Sequence, residues 1–85
     1  MSTEKNGQTI TLDYPVTING QEVSQLFLRR AKVADQRAMA KNSGTDADKE
    51  IAMFANLLNI APNEVDLLDV KDYQKITEAY QGFLK

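Results

Sequence analysis

The fold is decided by residues 57–69, which read LLNIAPNEVDLLD. Asn59 suits the left-handed conformation that ends a helix, and Pro62 suits the first turn of the next, where a missing N–H loses no partner. Asp69 can cap a further helix by accepting hydrogen bonds from its first amides. The corner is then filled by apolar side chains, Leu58, Ile60, Val65 and Leu68. This stretch predicts three helical segments that meet at one apolar corner.

The segments on either side of the corner have helical periodicity. Thr45 can cap a helix in which apolar residues recur every three or four positions, and Asn42-Ser43-Gly44 ends a preceding run of good helix formers. After the corner, one face of the last segment carries Tyr73, Ile76, Tyr80 and Phe83. The predicted helices span about 33–42, 46–58, 62–67 and 70–83.

The N-terminal part predicts a β-hairpin over about residues 9–29. Apolar residues alternate with polar ones from Ile10 to Ile18, as in a half-buried strand, and Asn19-Gly20 favours a two-residue type I′ turn. That turn places Val16 opposite Val23. One extra residue near Ser24-Gln25 is then needed to keep the later leucines on the same face, so we expect a bulge there. It would place Leu26 opposite Tyr14 and Leu28 opposite Leu12.

We therefore predict an α+β domain in which an N-terminal β-hairpin packs on a bundle of three to four helices. Residues 1–8 are polar and predict a mobile tail, and residues 9–85 form a single domain. A lone hairpin is marginal in water, so the helices must cover its apolar face. We expect that face to carry Leu12, Tyr14, Val16, Leu26 and Leu28.

Composition excludes several classes of function. The chain has no cysteine and no histidine, which removes disulfides and the commonest zinc ligands. Its net charge of −2 argues against general nucleic-acid binding, and no apolar run is long enough to span a membrane. Asp46-Ala-Asp48-Lys-Glu50 begins like a calcium loop, but Ile51 occupies the position that needs glycine. We predict a soluble cytoplasmic protein with no catalytic residues, metal or cofactor.

Several short motifs, taken in order, resemble a known family. The hairpin is followed by EIAMFANLL at residues 50–58, Ala61-Pro62, LLD at residues 67–69 and a Gly-Phe-Leu ending at residues 82–84. Together they resemble the small tail assembly chaperones of Mu-like and P2-like contractile-tailed bacteriophages and prophages. Ala61 departs from the usual hydroxyl cap before Pro62, and Ala34 stands where glycine is common.

The resemblance implies a non-catalytic role in the cytoplasm of the host cell. Such chaperones bind the tape measure protein, keep it soluble, help to recruit tail tube protein and are absent from the mature virion. A longer form made by ribosomal frameshifting is common among them. The alternatives are a small structural protein of the tail or baseplate and an acidic regulatory adaptor.

Two groups of residues are candidates for binding a partner, and each also has an ordinary structural interpretation. Aromatic and methionine side chains suit adaptable interfaces, although a small domain needs most of its apolar residues for the core. These candidates are Met53, Leu57, Tyr73, Tyr80, Phe83 and Leu84. A basic segment could contact an acidic partner or mediate homo-oligomer formation, or could be a solvated surface. It comprises Arg29, Arg30, Lys32, Arg37 and Lys41.

Overall fold

The computed structural model describes the backbone of residues 3–4 and the whole of residues 6–84. The elements in this part of the chain are β1 (Thr3–Glu4), β2 (Gly7–Ile18), β3 (Gln21–Arg29), α1 (Val33–Lys41), α2 (Asp46–Leu58), α3 (Pro62–Val65) and α4 (Val70–Phe83). An antiparallel hairpin is thus followed by four helices, which confirms the predicted α+β class. The bounds of α2 and α4 agree with those predicted, whereas α1 and α3 end one and two residues earlier.

The sheet begins before the predicted boundary at residue 9. β1 pairs antiparallel with the start of β2, with Thr3 opposite Gln8 and Glu4 opposite Gly7. Of the predicted mobile tail, residues 1, 2 and 5 lie outside the described residues. The polar sequence does not predict β1, because the hydrogen bonds between strands are made by backbone groups and do not require a particular side-chain pattern.

The hairpin turn forms as predicted, but the bulge lies on the other strand. Asn19 and Gly20 have φ of 54° and 78°, and Val16 lies opposite Val23. Thr11 lies opposite Gln25, so four residues of β2, 12–15, face a single residue of β3. The predicted bulge near Ser24-Gln25 is therefore wrong.

The shifted register changes the cross-strand partners. Leu26 lies opposite Ile10 rather than Tyr14, and Leu28 lies opposite Gln8 rather than Leu12. The prediction that Tyr14 belongs to the apolar face is wrong, because its side chain is 54% exposed.

A buried carboxylate in the first turn of α4 explains where the bulge forms. Asp72 is completely buried, and its two oxygens accept hydrogen bonds from the backbone N–H of Asp13 at 2.8 Å and of Tyr14 at 3.0 Å. The next residue, Pro15, has no N–H to donate. The bulged segment therefore exchanges ladder hydrogen bonds for charge-assisted ones from α4.

The core lies between the hairpin and helices α2 and α4. Leu12, Leu26 and Leu28 are buried as predicted, and Val16 is partly buried against them. The side chains that are most completely buried come from both layers, and they include Ile10, Leu28, Phe54, Leu57 and Ile76.

The corner at residues 57–69 has the predicted conformation. Asn59 ends α2 with φ 59° and ψ 43°, Pro62 begins α3, and Asp69 caps α4 by accepting a 3.0 Å hydrogen bond from the N–H of Lys71. The corner is filled by buried Leu58, Val65 and Leu68 and partly buried Ile60. It turns the chain so that α4 returns across α2 and the hairpin.

Candidate partner-binding groove

An aromatic cluster joins α2 to α4. The ring of Phe54 on α2 makes edge-to-face contacts with Tyr73 and Tyr80 on α4, at centroid distances of 5.7 Å and 5.4 Å. The two tyrosines are seven residues apart, which is two helical turns, so both face α2. Edge-to-face rings add stabilisation beyond area burial, and this cluster fixes the spacing between the two helices.

The hydroxyl of Tyr73 reaches a carboxylate on α2. It donates a 2.6 Å hydrogen bond to Oε1 of Glu50. Burial of the phenol and this hydrogen bond to a carboxylate raise the pKa of Tyr73 above its ordinary value. The phenol therefore stays neutral at physiological pH and acts as a donor between the helices.

The start of α1 is held to the end of β3 by an ion pair between buried Asp35 and partly exposed Arg29. The Asp35 carboxylate receives two 2.9 Å hydrogen bonds from the guanidinium of Arg29 and a 2.7 Å hydrogen bond from the N–H of Lys32. The hydrogen bonds from Arg29 lower the pKa of Asp35. Beyond this anchor, α1 packs mainly on α2 and brings Met39 against it.

An open groove lies between α1, α2 and the end of α4. It has a volume of about 430 Å³. Met39, Met53, Phe54, Tyr80 and Leu84 form its apolar floor and edge, and Asp46, Lys49, Glu50, Thr77 and Gln81 form its polar rim. Leu84 is 64% exposed, so apolar surface at the edge of the groove remains open to solvent.

Three of the six apolar candidates line this groove: Met53, Tyr80 and Leu84. Tyr73 lies behind it in the aromatic cluster, and Phe83 is partly buried against the core. Leu57 is 1% exposed and lies outside the groove, beside a separate cleft next to β3. The groove thus unites residues that are 31 positions apart in the sequence.

The five basic candidates are divided by the fold. Arg29 is engaged with Asp35, and Arg30 donates a 3.0 Å hydrogen bond to the carbonyl of Phe83 with its guanidinium 5.2 Å from the ring centroid. Lys32, Arg37 and Lys41 are exposed. Arg37 and Lys41 lie one turn apart on α1 beside Ala34 and Ala38.

A charge cluster surrounds the bulge at the other end of α4. The Asp13 carboxylate accepts one hydrogen bond from Lys75 at 2.9 Å and lies 3.1 Å from the ammonium of Lys71. The hydrogen bonds with Lys75 and Lys71 lower the pKa of Asp13. Lys75 also bonds the carbonyl of Thr11 at 2.9 Å. This cluster fastens α4 to β2 and lies apart from the residues that line the groove.

Comparison with known protein families identifies the family of the chain. The family model described as phage tail assembly chaperone proteins, E, or 41 or 14, matches residues 9–85. The chain belongs to this family. The match confirms the resemblance predicted from the sequence and assigns the protein to phage tail assembly. No curated protein and no solved structure matches the chain significantly.

Membership of this family suggests a non-enzymatic role that involves binding to tail proteins. Within the described residues, no group of three or more His, Cys, Asp or Glu side chains is placed to hold a metal ion. None of the helices in that part of the chain is long and apolar enough to cross a membrane.

Sequence reasoning missed one residue of the groove and the long-range contacts of another residue, which holds α4 to β2. Met39 lines the groove, and its signal was present: apart from Val33 at the first position, it is the one large apolar residue of α1. Asp72 lies in the first turn of α4, where the helix dipole favours a carboxylate, but its oxygens accept hydrogen bonds from amides 58 and 59 positions away. No local pattern reveals such a contact.

Proposed function

We propose that this chain binds the tape measure protein of a phage tail and keeps it soluble until tail tube subunits assemble around it. The observation that carries the proposal is the open apolar groove between α1, α2 and α4 in a member of a tail assembly chaperone family. By the family resemblance, the tape measure protein is long and largely helical. A groove of this kind suits an apolar stripe on such a helix.

The chemistry of the groove favours a partner with a variable apolar face. Met39 and Met53 lie on different helices and both line it. Methionine side chains are unbranched and polarizable, so they adapt to partners of different shape. A long helix with an uncovered apolar stripe exceeds the few hundred Å² of contiguous apolar surface that soluble monomers normally expose. Covering successive stripes would prevent aggregation without any chemical step.

Co-expression with the tape measure protein of the same phage tests the proposal. We expect more tape measure protein in the soluble fraction, and we expect it to co-purify through a tag on this chain. The matched control is the same experiment with an unrelated tagged acidic domain of similar size. Soluble yield that is equal with the two domains, for both the short chain and any frameshifted longer form, would contradict the proposal.

The proposed place of action is the host cytoplasm, before the virion is complete. Mass spectrometry of purified virions should then detect tape measure and tube proteins but not this chain, whereas the infected lysate should contain it. Stoichiometric recovery from virions would instead favour a structural component of the tail or baseplate. Normal tail length and yield after deletion of the gene would favour a regulatory adaptor.

A further inference from the structure

Among the residues that the structure describes, the charged side chains of the groove's rim lie on one side. Asp46, Lys49 and Glu50 lie on the α2 side, whereas Thr77 and Gln81 form the α4 side. Leu84, 64% exposed, continues the uncharged side toward the end of the helix. A partner helix that enters the groove therefore meets different chemistry on its two flanks.

Two acidic side chains of this rim are spaced by one helical turn. Asp46 and Glu50 are four residues apart on α2, which separates them by about 6 Å along the helix axis. Both are exposed, and within the described residues the Asp46 side chain makes no hydrogen bond or ion pair. Glu50 keeps its orientation because one of its oxygens accepts the Tyr73 hydroxyl. Lys49 lies between them, so the rim carries two negative charges and one positive charge.

We infer that the groove takes an amphipathic helix of the tape measure protein whose apolar stripe is flanked, on one side, by two basic residues one turn apart. The inference rests on the proposed function and adds the chemistry of the segment that is recognised. The apolar stripe contacts Met39, Met53 and Leu84, and the basic pair faces Asp46 and Glu50. Two charges at the same spacing on both helices fix the register and the direction in which the partner lies.

Peptide binding to the full chain tests this directly. The probes are two amphipathic peptides of about 18 residues, long enough for about five helical turns. They share one leucine stripe and differ in a flanking pair one turn apart, which is Lys-Lys in one peptide and Glu-Glu in the other. Exposed ion pairs are individually weak, so we expect the lysine peptide to bind about two- to tenfold tighter by fluorescence anisotropy, and the difference to shrink at high salt. Equal affinities, or tighter binding of the glutamate peptide, would overturn the basic-flank assignment.

Variants of the chain identify the surface involved. Asp46→Asn combined with Glu50→Gln keeps an acceptor for the Tyr73 hydroxyl and should abolish the preference between the peptides. Leu84→Ser should weaken both peptides. Its matched control is Val70→Ser, since Val70 is 71% exposed and lies at the opposite end of α4. Equal effects of the two serine variants, after circular dichroism shows that both remain folded, would remove the groove from the inference.

Failure of this inference is distinguishable from failure of the proposed function. Tape measure protein that co-purifies equally well with wild type and with Leu84→Ser would leave the chaperone function intact and exclude the groove as its site. Absence of co-purification with wild type would instead contradict the function. A concentration-dependent dimer that Leu84→Ser abolishes, seen by sedimentation, would assign the groove to a second copy and overturn the inference.

Discussion

Replacement of Asp72 by alanine should be among the most destabilising single changes in the α4 helix. The carboxylate is fully buried and accepts the N–H groups of Asp13 and Tyr14 at 2.8 Å and 3.0 Å. Hydrogen bonds to a charged group contribute about 1.5–3 kcal/mol each, so loss of both would cost about 3–6 kcal/mol. Water that enters near exposed Tyr14 can hydrate part of the bulge, which places the expected cost near the lower limit, about 3 kcal/mol.

That loss is large for this domain. At roughly 0.05–0.15 kcal/mol per residue, 85 residues give a free energy of unfolding of about 4–13 kcal/mol. A cost of about 3 kcal/mol should lower the Tm by roughly 12–24 °C. Urea denaturation followed by circular dichroism measures the free energy, and amide hydrogen exchange at Asp13 and Tyr14 should accelerate in Asp72→Ala relative to amides near the hairpin turn.

A carboxylate three residues earlier provides the matched control. Asp69 accepts one hydrogen bond, from the N–H of Lys71, and is exposed. Its replacement by alanine removes an N-cap and should cost about 1 kcal/mol. Asp72→Asn retains one acceptor but turns an amide donor toward a backbone donor, so it should fall between the two. If Asp72→Ala cost no more than Asp69→Ala, the carboxylate would not be what holds the bulge to α4.

Three further predictions concern the hairpin and its junction with α1. Leu28→Ala should cost about 2–5 kcal/mol in urea denaturation because the side chain is fully buried, whereas Phe27→Ala, 40% exposed on the other face, should cost less; the reverse order would contradict the β3 register. Gly7→Ala should destabilise the domain by about 1–3 kcal/mol, since the added Cβ would collide with the Leu28 carbonyl oxygen and lie 2.8 Å from the Cα of Arg29. In Gly82→Ala the added Cβ meets no atom within 4 Å, so the Tm should be unchanged or raised. Asp35 has a pKa that its arginine partner lowers, so the unfolded state binds more protons. Its stabilising contribution is therefore present above about pH 4 and lost as pH falls through the folded pKa, and Asp35→Asn should flatten the acid limb of a stability-against-pH curve.

The local elements of the fold were accessible to sequence reasoning because their signals are local. Asn59, Pro62 and Asp69 act on groups within four residues of themselves, and the periodicity of α2 and α4 indicates the face that each buries. The turn at Asn19-Gly20 is equally local, since the ability of a residue to adopt a positive φ depends mainly on its own side chain. These features were predicted with nearly correct bounds.

The candidate groove could be predicted only in part. Met53, Tyr80 and Leu84 were selected by residue type, but residue type does not distinguish them from Leu57, which the fold buries away from the groove. Met39 was missed because α1 has a weak apolar pattern and its packing against α2 decides which side chain points inward. These site assignments remain predictions until partner binding is measured.

Sequence patterns were sufficient to predict the class of the fold, the corner at residues 57–69, the turn of the hairpin and the family. Each depends on local conformational preferences or on the order of short motifs, and neither requires knowledge of contacts between residues that are distant in the sequence. Packing in three dimensions determined which strand bulges, because Asp72 supplies acceptors to β2 that β3 cannot supply. It also decided which apolar side chains stay open between α1, α2 and α4, since burial depends on the surfaces that helices leave uncovered after they pack.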